Sequence, residues 1–127
     1  LGSVAGAIPQ GRSVTDFLSW IAKNFDRSVT WADLDFVRQV WDGPIVIKGV
    51  LDPEDARDAV RAGAQGLVVS NHGGRQLDGV RSSISALPAI VDAVGDDLEV
   101  LMDGGIRSGL DVLKALSLGA KACFIGR

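Results

Sequence analysis

The 127 residues suffice for one ordinary domain, and a hydrophobic share of 46% supplies its core. Thirteen basic residues, scattered among sixteen acidic ones, give a net charge of -3, so no positive field exists to attract nucleic acid. The one cysteine, Cys123, excludes a disulfide within the chain, and no apolar run reaches the length of a membrane span.

The opening stretch, Leu1–Arg12, is rich in Gly, Ala and Ser and reads as loop. Ser13 or Thr15 could cap a short helix over Asp16–Asn24, with Phe17, Leu18 and Ile21 on one side. Thr30-Trp31-Ala32-Asp33 has the form of a capping box and predicts a helix carrying Leu34, Val37 and Trp41 on its apolar face. That helix stops before Gly43-Pro44.

A regular rhythm follows. Ile45-Val46-Ile47 is an apolar run without alternation, as in a strand covered on both faces. Asp52-Pro53 opens a helix that carries Ala56, Ala59 and Val60 to near Gly63. In it, Glu54 with Arg57 and Asp58 with Arg61 place opposite charges one turn apart. Leu67-Val68-Val69 is a second strand, Ser85–Val94 a helix with Pro88 near its start, and Glu99–Met102 a third strand. Ser108 or Gly109 opens a last helix through Leu110, Val112, Leu113 and Leu116 to Gly119, and Ala122–Ile125 is a fourth strand, with Cys123 as a buried thiol.

Strands alternating with helices require parallel pairing and right-handed crossovers. The fold class is therefore α/β. A (β/α)8 TIM barrel, of which this chain covers approximately strands 5–8, and a doubly wound sheet share this local pattern. The strand tails favour the barrel, because all four strands end in groups capable of chemistry, as around a barrel mouth. On this reading residues 1–44 are the loop and helices preceding strand 5, and residues 45–127 are the C-terminal half of the barrel, a piece of a larger catalytic domain.

Lys48 follows the first apolar run. It is either a strand-end ammonium reaching water or a cation at the barrel mouth that stabilises negative charge; a Schiff-base lysine is a further option. His72, the one histidine, stands in Ser70-Asn71-His72-Gly73-Gly74-Arg75, where the glycines allow close backbone approach and Arg75 offers a planar fork for a carboxylate. A base beside a carboxylate clamp suits an acid whose reacting carbon neighbours its carboxylate. One histidine without an acidic pair is a poor metal site. Asp103-Gly104-Gly105-Ile106-Arg107 and Gly126-Arg127 are glycine-rich tails able to present N–H groups and guanidinium to a phosphate, with Asp103 suited to a ribityl or ribose hydroxyl. The bland reading of these tails is turn glycines with surface arginines. Neither the dinucleotide fingerprint nor the P-loop pattern is present.

These motifs resemble the FMN-dependent L-2-hydroxy acid dehydrogenases and oxidases. Ser70-Asn71-His72-Gly73-Gly74-Arg75-Gln76-Leu77-Asp78 looks like the family signature around the catalytic histidine, and Ile45-Val46-Ile47-Lys48-Gly49, Asp103-Gly104-Gly105-Ile106-Arg107 and Gly126-Arg127 match its other site motifs in order. The likeness spans nearly the whole chain and is greatest to the bacterial lactate-oxidising branch. It implies FMN as cofactor and oxidation of an L-2-hydroxy acid, L-lactate first, to a 2-oxo acid. It also implies that Lys48 contacts the flavin ring, His72 is the base, Arg75 holds the substrate carboxylate and Ser70 hydrogen-bonds toward the flavin. Asp103, Gly104, Gly105, Arg107, Gly126 and Arg127 would hold the ribityl-phosphate arm. Members carry a first half-barrel before the stretch that begins here at Leu1, with a substrate-binding tyrosine and an acidic partner for the histidine; this chain has no tyrosine. The resemblance further implies a homo-oligomer, a cytoplasmic location, either free or peripheral on the inner face of a bacterial membrane, and quinone, cytochrome or oxygen as electron acceptor. Two other readings stand beside it: a non-enzymatic flavin- or phosphate-binding half-barrel, and another phosphate-binding barrel enzyme similar to inosine monophosphate dehydrogenase.

Overall fold

The computed structural model describes residues 13–26 and 28–126. The expected loop Leu1–Arg12 and the site candidate Arg127 lie outside the described residues. The chain divides into two compact units, Leu1–Thr30 and Trp31–Arg127.

In the first unit, helix α1 spans Val14–Asn24 and starts earlier than the apolar spacing alone predicts. Ser13 decides the start: its hydroxyl accepts from the Asp16 N–H at 3.1 Å, and the Asp16 carboxylate accepts from the Ser13 N–H at 3.3 Å, a closed capping box.

The second unit is built by helix α2 (Asp33–Val40), strand β1 (Val46–Val50), helix α3 (Pro53–Arg61), strand β2 (Gly66–Val69), helix α4 (Ser83–Val94), strand β3 (Glu99–Asp103), helix α5 (Gly109–Ser117) and strand β4 (Ala122–Phe124). Helix α2 begins later than a Thr30 cap predicts. Trp31 and Ala32 form a turn first, their carbonyls accepting from the Leu34 and Asp35 N–H groups at 3.2 Å. Arg38 then ties α2 to the loop ahead of β2, donating to the Gly63 carbonyl at 2.5 Å and to Gln65 Oε1 at 2.8 Å. Asp52 caps α3, with Pro53 at its first position, where a missing N–H costs nothing. The two charge pairs on α3 form as expected, Arg57 with Glu54 and Arg61 with Asp58.

The four strands are parallel in the order β1-β2-β3-β4. Right-handed crossovers in a constant direction set α3, α4 and α5 on one face. There the core closes: Leu67 and Val69 of β2 and Val100 and Met102 of β3 pack with Ala56, Ala59, Leu87, Ile90, Val94 and Ala115. Strand alternation sends the intervening residues to the other face. Lys48, Val68, Leu101 and Ala122 fall in one register row, with Asp103 and Phe124 in the row above. Cover on both faces holds for β2, whose four residues are all buried, and not for β1, where Val46 is 47% exposed. β1 and β4 each pair on one side only, so their outer edges gain no neighbour among the described residues. Cys123 is half-buried against the core rather than fully buried, for the same reason.

Two strands run further than their apolar content predicts. β1 continues through Lys48 and Gly49 to Val50, and β3 continues to Asp103, so both charged groups stand inside strands. α4 begins at Ser83, two residues ahead of the expected start, because Ser83 is buried beside the β2 tail. The sheet is that of an α/β fold flanked by helices, and its uninterrupted strand order is compatible with an arc of a barrel.

Leu87 and Ile90 are both fully buried between α4 and the sheet. Leu87→Ala is expected to lower unfolding free energy by about 2–5 kcal/mol in urea denaturation. A loss below about 1 kcal/mol would show that α4 does not hold the sheet.

Candidate functional site

The C-terminal ends of β1, β2 and β3 converge on one cluster. Lys48 leaves β1 with its Nζ 2.8 Å from Asp103 Oδ2, on β3, and 3.0 Å from Ser70 Oγ, at the end of β2. Ser70 is fully buried between them. Its oxygen also accepts the His72 backbone N–H at 3.1 Å. With its oxygen accepting twice, the Ser70 hydroxyl has its proton free to favour the negative charge of Asp103.

His72 owes its place to the turn that follows β2. It opens a short 3-10 turn, His72–Gly74, and has a φ of 56, in the left-handed region rarely occupied by residues with a side chain. Asn71 closes that turn: its Oδ1 accepts the Gly73 N–H at 3.0 Å and its carbonyl accepts the Gly74 N–H at 2.9 Å. The Asn71 N–H is in turn held by Ser83 Oγ at 3.2 Å. Ser83 is thus a positioning residue that the sequence reading missed; its one signal is a serine ahead of the α4 apolar run, which reads equally well as a cap.

Electrostatics concentrate on Asp103. Burial pushes its carboxyl up, but hydrogen bonding to Lys48 and Ser70, the Lys48 charge and the nearby His72 outweigh this and hold it below its usual 3.8. Its other oxygen, Oδ1, is buried without a hydrogen-bond partner. An orphaned carboxylate oxygen is costly unless a donor arrives, and a hydroxyl-bearing ligand at the strand ends would supply one. Burial also pushes the Cys123 thiol up, away from thiolate chemistry.

The other candidates are placed differently. Arg75 sits at the end of the His72 turn, exposed, and no hydrogen bond or ion pair fixes its side chain among the described residues. Gly104 and Gly105 follow β3 with φ of 85 and 76. Gly104 lies so close to Ser83 Oγ and Asn71 Oδ1 that a side chain there would crowd the loop holding His72. Arg107 is exposed, its N–H held by Asp111 Oδ2 at 3.2 Å. A cavity of about 460 Å³ lies between these two loops, lined by Asn71, Gly73, Gly74, Gly104, Gly105 and Arg107 among others. It does not include Lys48, Ser70, His72 or Asp103, so the glycine-rich loops and the charged cluster are neighbouring features and not one pocket. Gly126 follows β4 and is exposed. Among the described residues no group of His, Cys, Asp and Glu could hold a metal ion, and no helix is long and apolar enough to cross a membrane.

The donor set fits a flavin mononucleotide: a cation at a strand end, an unsatisfied carboxylate oxygen for a ribityl hydroxyl, and glycine-rich loops with an arginine for a phosphate. Comparison with known proteins agrees. The family model for FMN-dependent dehydrogenase matches residues 3–127. An L-lactate dehydrogenase of Caulobacter vibrioides, in two strains, is 62% identical over 127 residues, which is 100% of this chain and 33% of the relative. The chain therefore spans about a third of the length of these curated relatives. A solved mandelate oxidase with (S)-2-phenylpropionate is 59% identical with a TM-score of 0.75, over 77% of this chain and 29% of that one. A mandelate oxidase variant with the C4a-OH-FMN adduct matches at 59% and 0.75, over 77% of this chain and 30% of that one.

The ion pair makes stability pH-dependent with a definite sign. Asp103 has a folded pKa below its unfolded value, so its contribution is full above the usual 3.8 and is lost as pH falls through the lower folded value. The stability difference between wild type and Asp103→Asn should shrink as pH falls below about 4. A difference that grows below about pH 4 would contradict the pairing.

Proposed function

The chain belongs to the FMN-dependent dehydrogenase family, and on that premise we propose that it forms strands five to eight of a (β/α)8 barrel that oxidises an L-2-hydroxy acid, L-lactate foremost, to the 2-oxo acid. On this reading residues 1–44 lead into strand five and residues 45–127 form the C-terminal half. The observation that carries the proposal is the meeting of Lys48, Ser70, His72 and Asp103 at the same ends of three adjacent parallel strands. Catalytic groups of barrel enzymes stand at that end. The name of the Caulobacter relative supports lactate, while the mandelate oxidases support the wider class of 2-hydroxy acids.

His72 is the base that takes a proton from the substrate. Its exposure at the strand ends leaves it open to a small acid. Arg75, three residues on and free to swing, binds the substrate carboxylate through its planar fork. FMN, when bound, supplies the acceptor for the two electrons. Lys48 stabilises negative charge where it develops, and Ser70 keeps the ammonium aimed. Asp103 satisfies its orphaned oxygen on a ribityl hydroxyl, and Gly104, Gly105, Arg107, Gly126 and Arg127 hold the phosphate. Electrons pass onward to a quinone, a cytochrome or oxygen, in a cytoplasmic homo-oligomer, free or peripheral on the inner face of the membrane.

The 127 residues alone should show little turnover. Val46 at 47% and Phe124 at 55% exposure leave the two outer strands open on the non-helical sheet face, and a reacting centre beside them stays wet.

In the full FMN-loaded protein, anaerobic L-lactate is expected to bleach the flavin absorbance, and His72→Ala to slow bleaching by about 100- to 10,000-fold. Flavin absorbance unchanged by either L-lactate or mandelate would end the proposal.

A further inference from the structure

Resting on the reading of His72 as the base, we propose that Gly49 is a positioning residue for it: the bulge that Gly49 makes in β1 is the seat of the imidazole. β1 and β2 pair in step from Val46↔Gly66 to Lys48↔Val68, then the register jumps so that Val50 faces Val69 and Gly49 has no partner. Gly49 takes up the extra length with a φ of 101, a conformation strained for any residue with a side chain. The space left by its missing side chain is filled by His72. A Cβ built on Gly49 would stand 2.6 Å from His72 Nε2, 3.4 Å from Cε1 and 3.6 Å from Cδ2. Ordinary contact between such atoms begins near about 3.5 Å, so a methyl group there would drive the ring away by about 1 Å.

The ring has little freedom to yield at its other end. His72 is the one non-glycine residue with positive φ among the described residues, its N–H is bonded to buried Ser70, and the turn beyond it is closed by Asn71. The backbone fixes the root of the imidazole, and Gly49 fixes its tip. Neither residue lines the cavity between the glycine-rich loops.

The test compares Gly49→Ala with Gly63→Ala, His72→Ala and the Gly49→Ala/His72→Ala double variant in the FMN-loaded full protein. Gly63 has a φ of +75 and open space around it, so alanine there carries the backbone strain without a clash. Gly49→Ala is expected to lower kcat by about 100-fold and Gly63→Ala to leave it within about twofold. In the His72→Ala background, Gly49→Ala should cost nothing further, since no ring remains to displace. A readout independent of turnover is NMR of the imidazole, its signals identified by their loss in His72→Ala. An NOE between the His72 ring protons and the Gly49 Hα protons is expected in the wild type, with imidazole shifts that move in Gly49→Ala and not in Gly63→Ala. Absence of that NOE, imidazole signals unmoved in Gly49→Ala, or an equal kcat loss with and without His72 would overturn the seat. A ring that moves while kcat stays unchanged would instead overturn the role of His72 as base. Should Gly49→Ala fail to fold, the wild-type NOE decides alone.

Discussion

The ammonium of Lys48 bridges two strands that are not neighbours. β1 and β3 are separated by β2, and adjacent strands lie about 4.8 Å apart, so the Lys48 and Asp103 side chains together span about 10 Å of sheet. It does so over the end of β2, where the buried Ser70 hydroxyl accepts a second bond. Three strand ends are thereby tied at one point. The Lys48 side chain is 47% exposed, so the pair contributes little to stability after solvent screening. Its consequence is positional: a cation held at a defined place above the sheet, with one carboxylate oxygen beside it still lacking a donor.

Local backbone devices make that meeting possible. The bulge at Gly49 and the left-handed turn at His72 are both departures from regular pairing, and both sit where the strands deliver their functional groups. Strain at such positions persists only where the surroundings over-determine it. Here Ser70, Asn71 and Ser83 do so through bonds to the backbone, while the helix-side core of Leu67, Val69, Val100, Met102, Leu87 and Ile90 keeps the strands themselves in register. The core thus supports the site from the opposite face of the same residues' strands.

Much of this was legible in the residues. Apolar runs separated by helix-spaced segments located all four strands and the helices between them, because a parallel sheet buries its centre and excludes polar residues there. Strand ends were less legible: Lys48 and Asp103 are charged, yet they stand inside strands, because the C-terminal edge of the sheet tolerates charge where hydrophobicity reads it as loop. Lys48, Ser70, His72 and Asp103 are legible one by one as polar strand tails, whereas the Lys48–Asp103 pairing depends on register, which no single strand encodes. Gly49 carried a signal, a glycine inside a strand pattern, that indicates a bulge but not what fills it. Ser83 was hidden by its resemblance to an ordinary cap, and α2 starts at Asp33 because Trp31 and Ala32 form a turn ahead of it. The half-buried state of Cys123 depends on which strand lies at the sheet edge, a property of topology and not of local sequence.

The central claim is that Lys48 is held at the strand ends to stabilise negative charge on a bound flavin. The most direct measurement is a potentiometric titration of FMN bound to the full protein, wild type against Lys48→Met, a change that keeps side-chain length and removes the charge. Loss of the cation should lower the two-electron potential by at least about 30 mV, equivalent to a tenfold or greater loss of preference for the reduced form. Equal potentials in the two proteins would contradict the account.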